Sequence, residues 1–470
     1  MEESLVKNGY CTKKESITFE AKECRDKLPK DIWQTYSSFA NTLGGTIALG
    51  FKEEGPYLKL SGIVDPQKIM KDLWDLLNDP RKVSANILTD SDVRIEEDND
   101  IQYIVITVPR AERHIKPIYV NGSLDNGTYR RNNESDYHCS VPEILEMGRD
   151  SSDSSTDQRV VEKSSFKDVN ITTLERFRNH LRSYHPSHPW LTESDEEFLR
   201  LIGAADLDDD RFRLTYAGLL MFGNDYRISR EIPDYHLDYK RYLNDMEWSD
   251  RVDSGSGLWS GNIFDFFLDI SNKIASASEH PFILDGFRRI DDNDVIKAMR
   301  EIVLNGLVHA DYLGKGGVNV SLWNDKLVVS NPGNFRIPVS KALRGGYSDA
   351  RNPLMMKMFT LLGFVERAGS GIYRVIRTCR EEGLEEPLME ESFNPSRVTV
   401  TLKLKKSGDL SFKIINMMNK DEKISVDSLA EKIGVSKSTV AREITKLKAE
   451  GTIRRVGGTR GHWEIADDRL

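Results

Sequence analysis

Ser425-Val426-Asp427-Ser428-Leu429-Ala430-Glu431-Lys432-Ile433-Gly434-Val435-Ser436-Lys437-Ser438-Thr439-Val440 holds two helix starts separated by one glycine. Ser425 is placed to cap a first helix carrying Leu429 and Ile433. Gly434 turns the chain, and Ser436 caps a second helix built on Val440, Ile444 and Leu447. A serine hydroxyl at the cap accepts a first-turn amide, and glycine takes the left-handed backbone that ends a helix without steric cost. The spacing therefore predicts a helix-turn-helix. Away from the apolar stripe of the second helix lie Ser438, Arg442 and Thr445, with Lys437 at its start. Short polar and basic groups of this kind suit base edges and phosphates in a major groove.

Outward from this core, Glu450 to Val456 enters a strand with Arg454 and Arg455. Gly457 to Gly461 makes a tip carrying Arg460, and His462 to Ile465 returns. Residues 411–467 thus resemble the winged-helix regulators of bacteria and archaea, and the resemblance implies DNA as a partner. Winged helices also serve as protein-binding modules, but the basic wing and Arg442 favour DNA.

The whole chain has 470 residues and a formal net charge of -9. Length suggests about three domains, and the acidic balance excludes indiscriminate coating of nucleic acid, confining phosphate contacts to local basic patches. No stretch reaches the roughly 20 apolar residues of a membrane helix, and Met1 to Tyr10 has no apolar core or cleavage site. A cytoplasmic protein with no membrane contact is expected. Cys11, Cys24, Cys139 and Cys379 lack the paired spacing of a zinc site.

Gly148 to Gln158 contains no apolar residue and reads as a solvated linker. The expected order is a domain over 1–147, a linker over 148–160, a helical middle region over 161–290, a nucleotide-binding domain over 291–406 and the winged helix over 411–467. In the first domain a helix over Asp31–Asn41 precedes strands over Thr46–Phe51 and Ile101–Val108. Later come a helix from Asp294 to about His309, a strand pair Val318–Leu322 and Lys326–Ser330, a helix over Pro353–Leu362, and alternation at Val398, Val400, Leu402 and Leu404.

In the helix at 294–309, Ile296, Met299, Val303 and Leu307 share one face, while Glu301, Asn305 and His309 fall four residues apart on another. Asp311-Tyr312, Asn331-Pro332-Gly333, Arg351-Asn352-Pro353 and Gly369-Ser370-Gly371 follow in order. This series resembles the ATPase-like domain of RecG-related or Schlafen-type transcriptional regulators, distant relatives of the GHKL ATPases. The resemblance implies an α/β sandwich binding ATP and Mg2+. Asn305 would hold the metal and Glu301 would orient or deprotonate water, with His309, Asn331, Gly333, Gly369, Ser370 and Gly371 about the nucleotide. Asn331 stands where GHKL enzymes carry the Asp that reads adenine.

Near the start, Glu15-Ser16-Ile17-Thr18-Phe19-Glu20-Ala21-Lys22 and Phe39-Ala40-Asn41-Thr42-Leu43-Gly44-Gly45-Thr46 resemble the Schlafen-type AlbA-like domain. In Schlafen nucleases acidic residues at the positions of Glu15 and Glu20 bind metal, and Glu53 or Glu54 would replace the third; Glu54 is the candidate. A structural pair between Glu20 and Lys22 outweighs that catalytic reading. Arg130 and Arg131, with Lys116, Arg113 and Arg110, form a basic stretch suited to a phosphate backbone.

The combined expectation is an α+β multidomain chain: AlbA-like domain, GHKL-like sandwich and winged helix-turn-helix. Its function reads as an ATP- and DNA-binding transcriptional regulator whose nucleotide occupancy modulates nucleic-acid binding. The rival is a metal-dependent nuclease in the N-terminal domain, gated by nucleotide and serving defence against foreign nucleic acid. A weak ATPase activity, RNA as partner and a homo-oligomer stay open.

Overall fold

Helices and strands form where the apolar spacing sets them in a computed structural model of the chain. It describes residues 5–244, 246–277, 283–285, 288–290, 294–346, 349–365, 371–404, 410–449, 452–456 and 461–465. The chain divides into two units, Met1–Ser155 and Thr156–Leu470.

In the first unit, β1 (Phe19–Lys22), α1 (Ile32–Asn41), β2 (Gly45–Leu49), β3 (Phe51–Glu54), β4 (Tyr57–Leu60), β5 (Val93–Asp98) and β6 (Ile101–Val108) follow in order. β1, β2, β6 and β5 make one sheet in that order, while β3 and β4 belong to another. The single strand expected over Thr46–Phe51 is two strands, because Gly50 takes φ +100° and passes the chain from one sheet to the next. Helix α1 buries Ile32, Trp33, Tyr36 and Phe39. The motif after it is explained by hydrogen bonding: Asn41 Nδ2 donates to the carbonyls of Ile118 (2.8 Å) and Tyr129 (3.0 Å), and Asn41 Oδ1 accepts from Ile118 N at 2.9 Å. Buried amides need such partners. A Cβ on Gly45 would come within 2.8 Å of the Phe39 ring, so only glycine lets β2 pass the helix there. The unit ends with the hairpin β7 (Tyr129–Asn132) and β8 (Ser135–His138) and a helix over Val141–Ser151.

In the second unit β9 (Leu237–Tyr242), β10 (Trp248–Asp253), α2 (Ile263–Ala277), α3 (Asp294–Val308), β11 (Val318–Leu322), β12 (Lys326–Pro332), α4 (Pro353–Leu361), α5 (Gly371–Glu382), β13 (Leu388–Phe393) and β14 (Ser396–Lys403) build a sandwich. Its described strands run β10-β9-β11-β12-β14-β13. β9 and β11 pair in parallel and the other neighbours antiparallel. One apolar core runs from Val161 through Phe177, Phe222, Phe267, Val303 and Val329 to Leu402.

Two boundary expectations change. The middle region 161–290 supplies β9, β10 and α2 to the sandwich and shares its core, so it is neither wholly helical nor separately packed. Nor is 148–160 solvated throughout. The Val141–Ser151 helix extends through Gly148, Val161 is buried, and Asp157, 1% exposed, accepts hydrogen bonds from Leu354 N (2.8 Å) and Met355 N (3.1 Å) at the start of α4. A carboxylate there satisfies amides that the helix cannot.

At the C-terminal end α6 (Leu410–Lys420), α7 (Val426–Ile433), α8 (Lys437–Ala449), β15 (Ile453–Val456) and β16 (His462–Ile465) enclose a core of Leu429, Val440, Ile444, Leu447 and Trp463. Ser425 Oγ accepts from Ser428 N at 3.1 Å, Gly434 takes φ +78°, and Ser436 Oγ accepts from Thr439 N at 3.2 Å, matching the cap and turn expectations. Among the described residues no helix is long and apolar enough to cross a membrane.

Candidate functional site

Helix α3 turns its apolar face to the core and leaves Glu301, Asn305 and His309 half-buried on the other side. That side lines a cavity of about 330 Å3, within the range of ligand pockets. Asn331 at the end of β12, Val398 and Val400 of β14, and Met389 of β13 form one wall. Phe335, Arg336 and Asp349 close another, and Met356 and Thr360 of α4 a third. Asn305 Nδ2 donates to Glu301 Oε1 at 3.3 Å. Gly371, first residue of α5, sits so close that a Cβ there would lie 2.0 Å from Glu301 Oε1. Glycine is therefore needed for the carboxylate to rest against the start of α5, where the helix dipole favours negative charge.

The loops around α3 fix its end. Arg351 donates through Nε to the His309 carbonyl and through Nη2 to that of Asn334, both at 3.0 Å. Asn352 Nδ2 donates to the carbonyls of Val308 (3.1 Å) and Ala310 (2.8 Å), and Tyr312 Oη to that of Leu307 (2.8 Å). These donors answer C-terminal carbonyls that an isolated helix leaves open. Asn331 Nδ2 donates to the Pro332 carbonyl at 3.0 Å, which directs its acceptor oxygen to the cavity side near Gly306.

His309 combines partial surface exposure toward the cavity with protein on every side. Burial, aided by the Arg336 guanidinium and opposed by Asp349, pushes its imidazole down to about 4, so it is neutral at pH 7. The unfolded imidazole protonates near 6.5 and the folded one only near 4, so the unfolded state binds the extra proton between these values. Stability then rises with pH across that window, and lowering the pH from 7 to 5 costs about 2 kcal/mol through this group. Denaturant titrations at both pH values should show a smaller loss in His309→Gln than in wild type. Equal losses would refute this assignment.

Of the other residues expected here, Gly333 is set back from the cavity. It takes φ +100°, and a Cβ would stand 2.9 Å from Arg351 Nη2. Gly369 and Ser370 lie outside the described residues. Arg336, Asp349, Met356, Val398 and Val400 were not foreseen, and only the Arg351-Asn352-Pro353 series signalled that the end of α3 would be clamped.

The basic stretch of the first unit is corrected. Arg130 and Arg131 are 2% and 1% exposed, so neither can track a phosphate backbone. As neighbours on β7 they point to opposite faces. Arg131 pairs with Glu20 (2.5 Å) and Asp136 (2.9 Å), while Arg130 lies 3.7 Å from Glu143 and 3.9 Å from Glu146. Glu20 also pairs with Lys22 at 2.9 Å, the structural pair expected from sequence. Glu54 stands apart on the surface, bound to Tyr10 Oη and Lys59 Nζ, both at 2.8 Å. Glu53 rather than Glu54 acts on Glu15, whose carboxyl is raised by burial first, then by Glu20, with Glu53 a lesser cause. Among the described residues no three His, Cys, Asp or Glu side chains converge to hold a metal ion.

On α8, Lys437, Ser438, Arg442 and Thr445 are exposed, with Lys437 Nζ 3.0 Å from Asp427. In the wing Arg454 Nε bonds Glu464 at 2.7 Å, and Arg455 lies over the Trp463 ring at 4.6 Å. Arg460 lies outside the described residues.

Four family models match this chain. Residues 15–140 match "Schlafen, AlbA_2", 145–238 "Domain of unknown function (DUF8451)", 315–402 "Putative ATP-dependent DNA helicase recG C-terminal" and 409–454 "Winged helix-turn-helix DNA-binding". The chain joins a Schlafen AlbA_2 domain, a RecG-type C-terminal domain and a winged helix. No curated protein matches it. Among solved structures it is similar to the DIP2311 protein from Corynebacterium diphtheriae, with 18% identity, 98% of this chain and 95% of that one covered, and a TM-score of 0.42. The N-terminal domain of a RecG-related protein from Nitrosomonas europaea aligns at 27% identity over 27% of this chain and 86% of that one, with a TM-score of 0.21.

The RecG-type match begins after α3, at residue 315. Glu301, Asn305 and His309 are nonetheless part of the same cavity as Asn331, Val398 and Val400 within the match. The AlbA_2 match spans both the Asn41 clamp and the Glu20–Arg131–Asp136 cluster.

Proposed function

We propose that this chain is an ATP-binding regulator whose nucleotide occupancy modulates DNA binding. The observation that carries the reading is the convergence of Glu301, Asn305, His309 and Asn331 on one cavity in a chain that also has a winged helix. Asn305 and Glu301 lie one helical turn apart and offer hard oxygen ligands. Such a pair suits Mg2+, which takes few protein ligands and completes its shell with phosphate and water. When bound, the ion would neutralise phosphate charge. Glu301, held at the start of α5, would orient water, and the Asn331 oxygen would accept the adenine amino hydrogen.

The test is linkage. A nucleotide alters DNA affinity only through unequal affinity for two states, and the coupling is reciprocal. Magnesium and ATP are expected to change duplex affinity by about 5-fold or more, measured by anisotropy at fixed salt, with duplex changing ATP affinity by the same factor. Tight ATP binding that leaves duplex affinity untouched would remove the regulatory reading.

One observation favours a second reading, a nuclease in the AlbA_2 domain: Glu15 is a partly buried carboxyl with a raised pKa beside Glu20, a combination common at reactive sites. Incubation of labelled RNA and DNA with manganese or magnesium decides it. Cleavage lost in the Glu15→Ala, Glu20→Ala double variant would install the nuclease, and equal behaviour of the two proteins would dismiss it.

A further inference from the structure

Behind helix α4 lies a second and larger cavity, about 1110 Å3 and open to solvent. Met356 and Thr360 line it on one side and the α3 cavity on the other, so one helix separates the two spaces. Its outer wall is a row of rings. Tyr184 and His185 have centroids 4.3 Å apart, His185 and His188 6.2 Å, and His188 and Trp190 4.9 Å. The Lys357 ammonium stands 5.9 Å over the Trp190 ring and donates to the Leu201 carbonyl at 3.2 Å.

Two features say what this groove would hold. In a chain of net charge -9, among the described residues no Asp or Glu lines it, and its described ionisable side chains are Tyr184, Lys357, His185 and His188. Of the rings, Tyr184 and His185 are presented outward, while His188 and Trp190 are half-buried; Tyr184 is 55% exposed and its other side rests on Gly363, where a Cβ would come within 2.3 Å of the ring. Aromatic surfaces interleaved with cationic charge, without acid, are how proteins hold unpaired bases and their phosphates. The groove is also about three times the volume of the α3 cavity and open, giving a strand room to pass.

We infer that this groove binds single-stranded DNA, with bases stacked on Tyr184, His188 and Trp190 and a phosphate on Lys357. The described residues that line it include none of the winged helix.

The test uses the full chain and a fluorescein-labelled twelve-nucleotide thymidine strand, followed by anisotropy at fixed salt. Loss of one stacking ring is expected to weaken binding about tenfold. Trp190→Ala should therefore show about that loss, and Lys357→Glu, which puts a carboxylate at the phosphate position, at least as much. Duplex affinity should stay within about twofold in both. If Trp190→Ala lowers the melting temperature, the exposed Lys357→Glu carries the decision. Unchanged single-strand affinity in Lys357→Glu overturns the proposal. So does a thymidine mononucleotide that competes as well as the strand, since the groove would then be a small-molecule site.

Discussion

Asn305→Ala is expected to weaken the proposed magnesium-dependent ATP binding by on the order of 100-fold. The side chain lies mid-way along the α3 face that lines the cavity, one turn from Glu301 and one from His309. Alanine keeps the helix, since it is the best helix former, and the replaced amide touches Glu301 rather than the apolar core. Stability should therefore change little while the pair proposed to hold the metal is broken. Calorimetric titration with ATP, with and without magnesium, separates the outcomes. An Asn305→Ala protein that binds ATP with undiminished magnesium dependence would take the metal role from Asn305 and leave the nucleotide reading without its central residue.

Arg131→Ala is expected to destabilise the AlbA_2 domain by about 3–5 kcal/mol, because Asp136 loses the cation that balances it in a protein interior and Glu20 keeps only Lys22. For a unit of this size the melting temperature should fall by on the order of 10 °C. The guanidinium also donates to the Ser16 carbonyl, at 3.2 Å from Nε and 3.1 Å from Nη2, so its loss loosens the segment before β1 as well. Thermal unfolding followed by circular dichroism measures the effect. A stable Arg131→Ala protein with weakened, less salt-dependent nucleic-acid binding would restore the phosphate role that the burial of Arg131 argues against.

These two residues show how far the sequence could be read. Glu301, Asn305 and His309 were legible as a face because four-residue spacing on a helix is a local property, and all three line one cavity. The rest of the lining was not. Arg336 and Asp349 come from segments on either side of a short helix over Val339–Arg344, and Val398 and Val400 from a strand whose place beside β12 is set by sheet order. Arg130 and Arg131 misled because adjacent basic residues look the same in sequence whether solvent or carboxylates surround them. Asp157 misled likewise: among serines and aspartates it reads as solvated, yet it accepts the first amides of α4, nearly two hundred positions away.

The sequence by itself determined the helix-turn-helix, the polar face of α3 and the order of the domains. Caps, a left-handed glycine and the 3.6-residue period act over a few neighbouring residues and need no distant partner. Only the tertiary structure decided which charges are buried, where the middle region belongs and what closes the cavity. Burial and ion pairing depend on which remote segments meet, and those meetings are set by packing across the whole unit rather than by any local pattern.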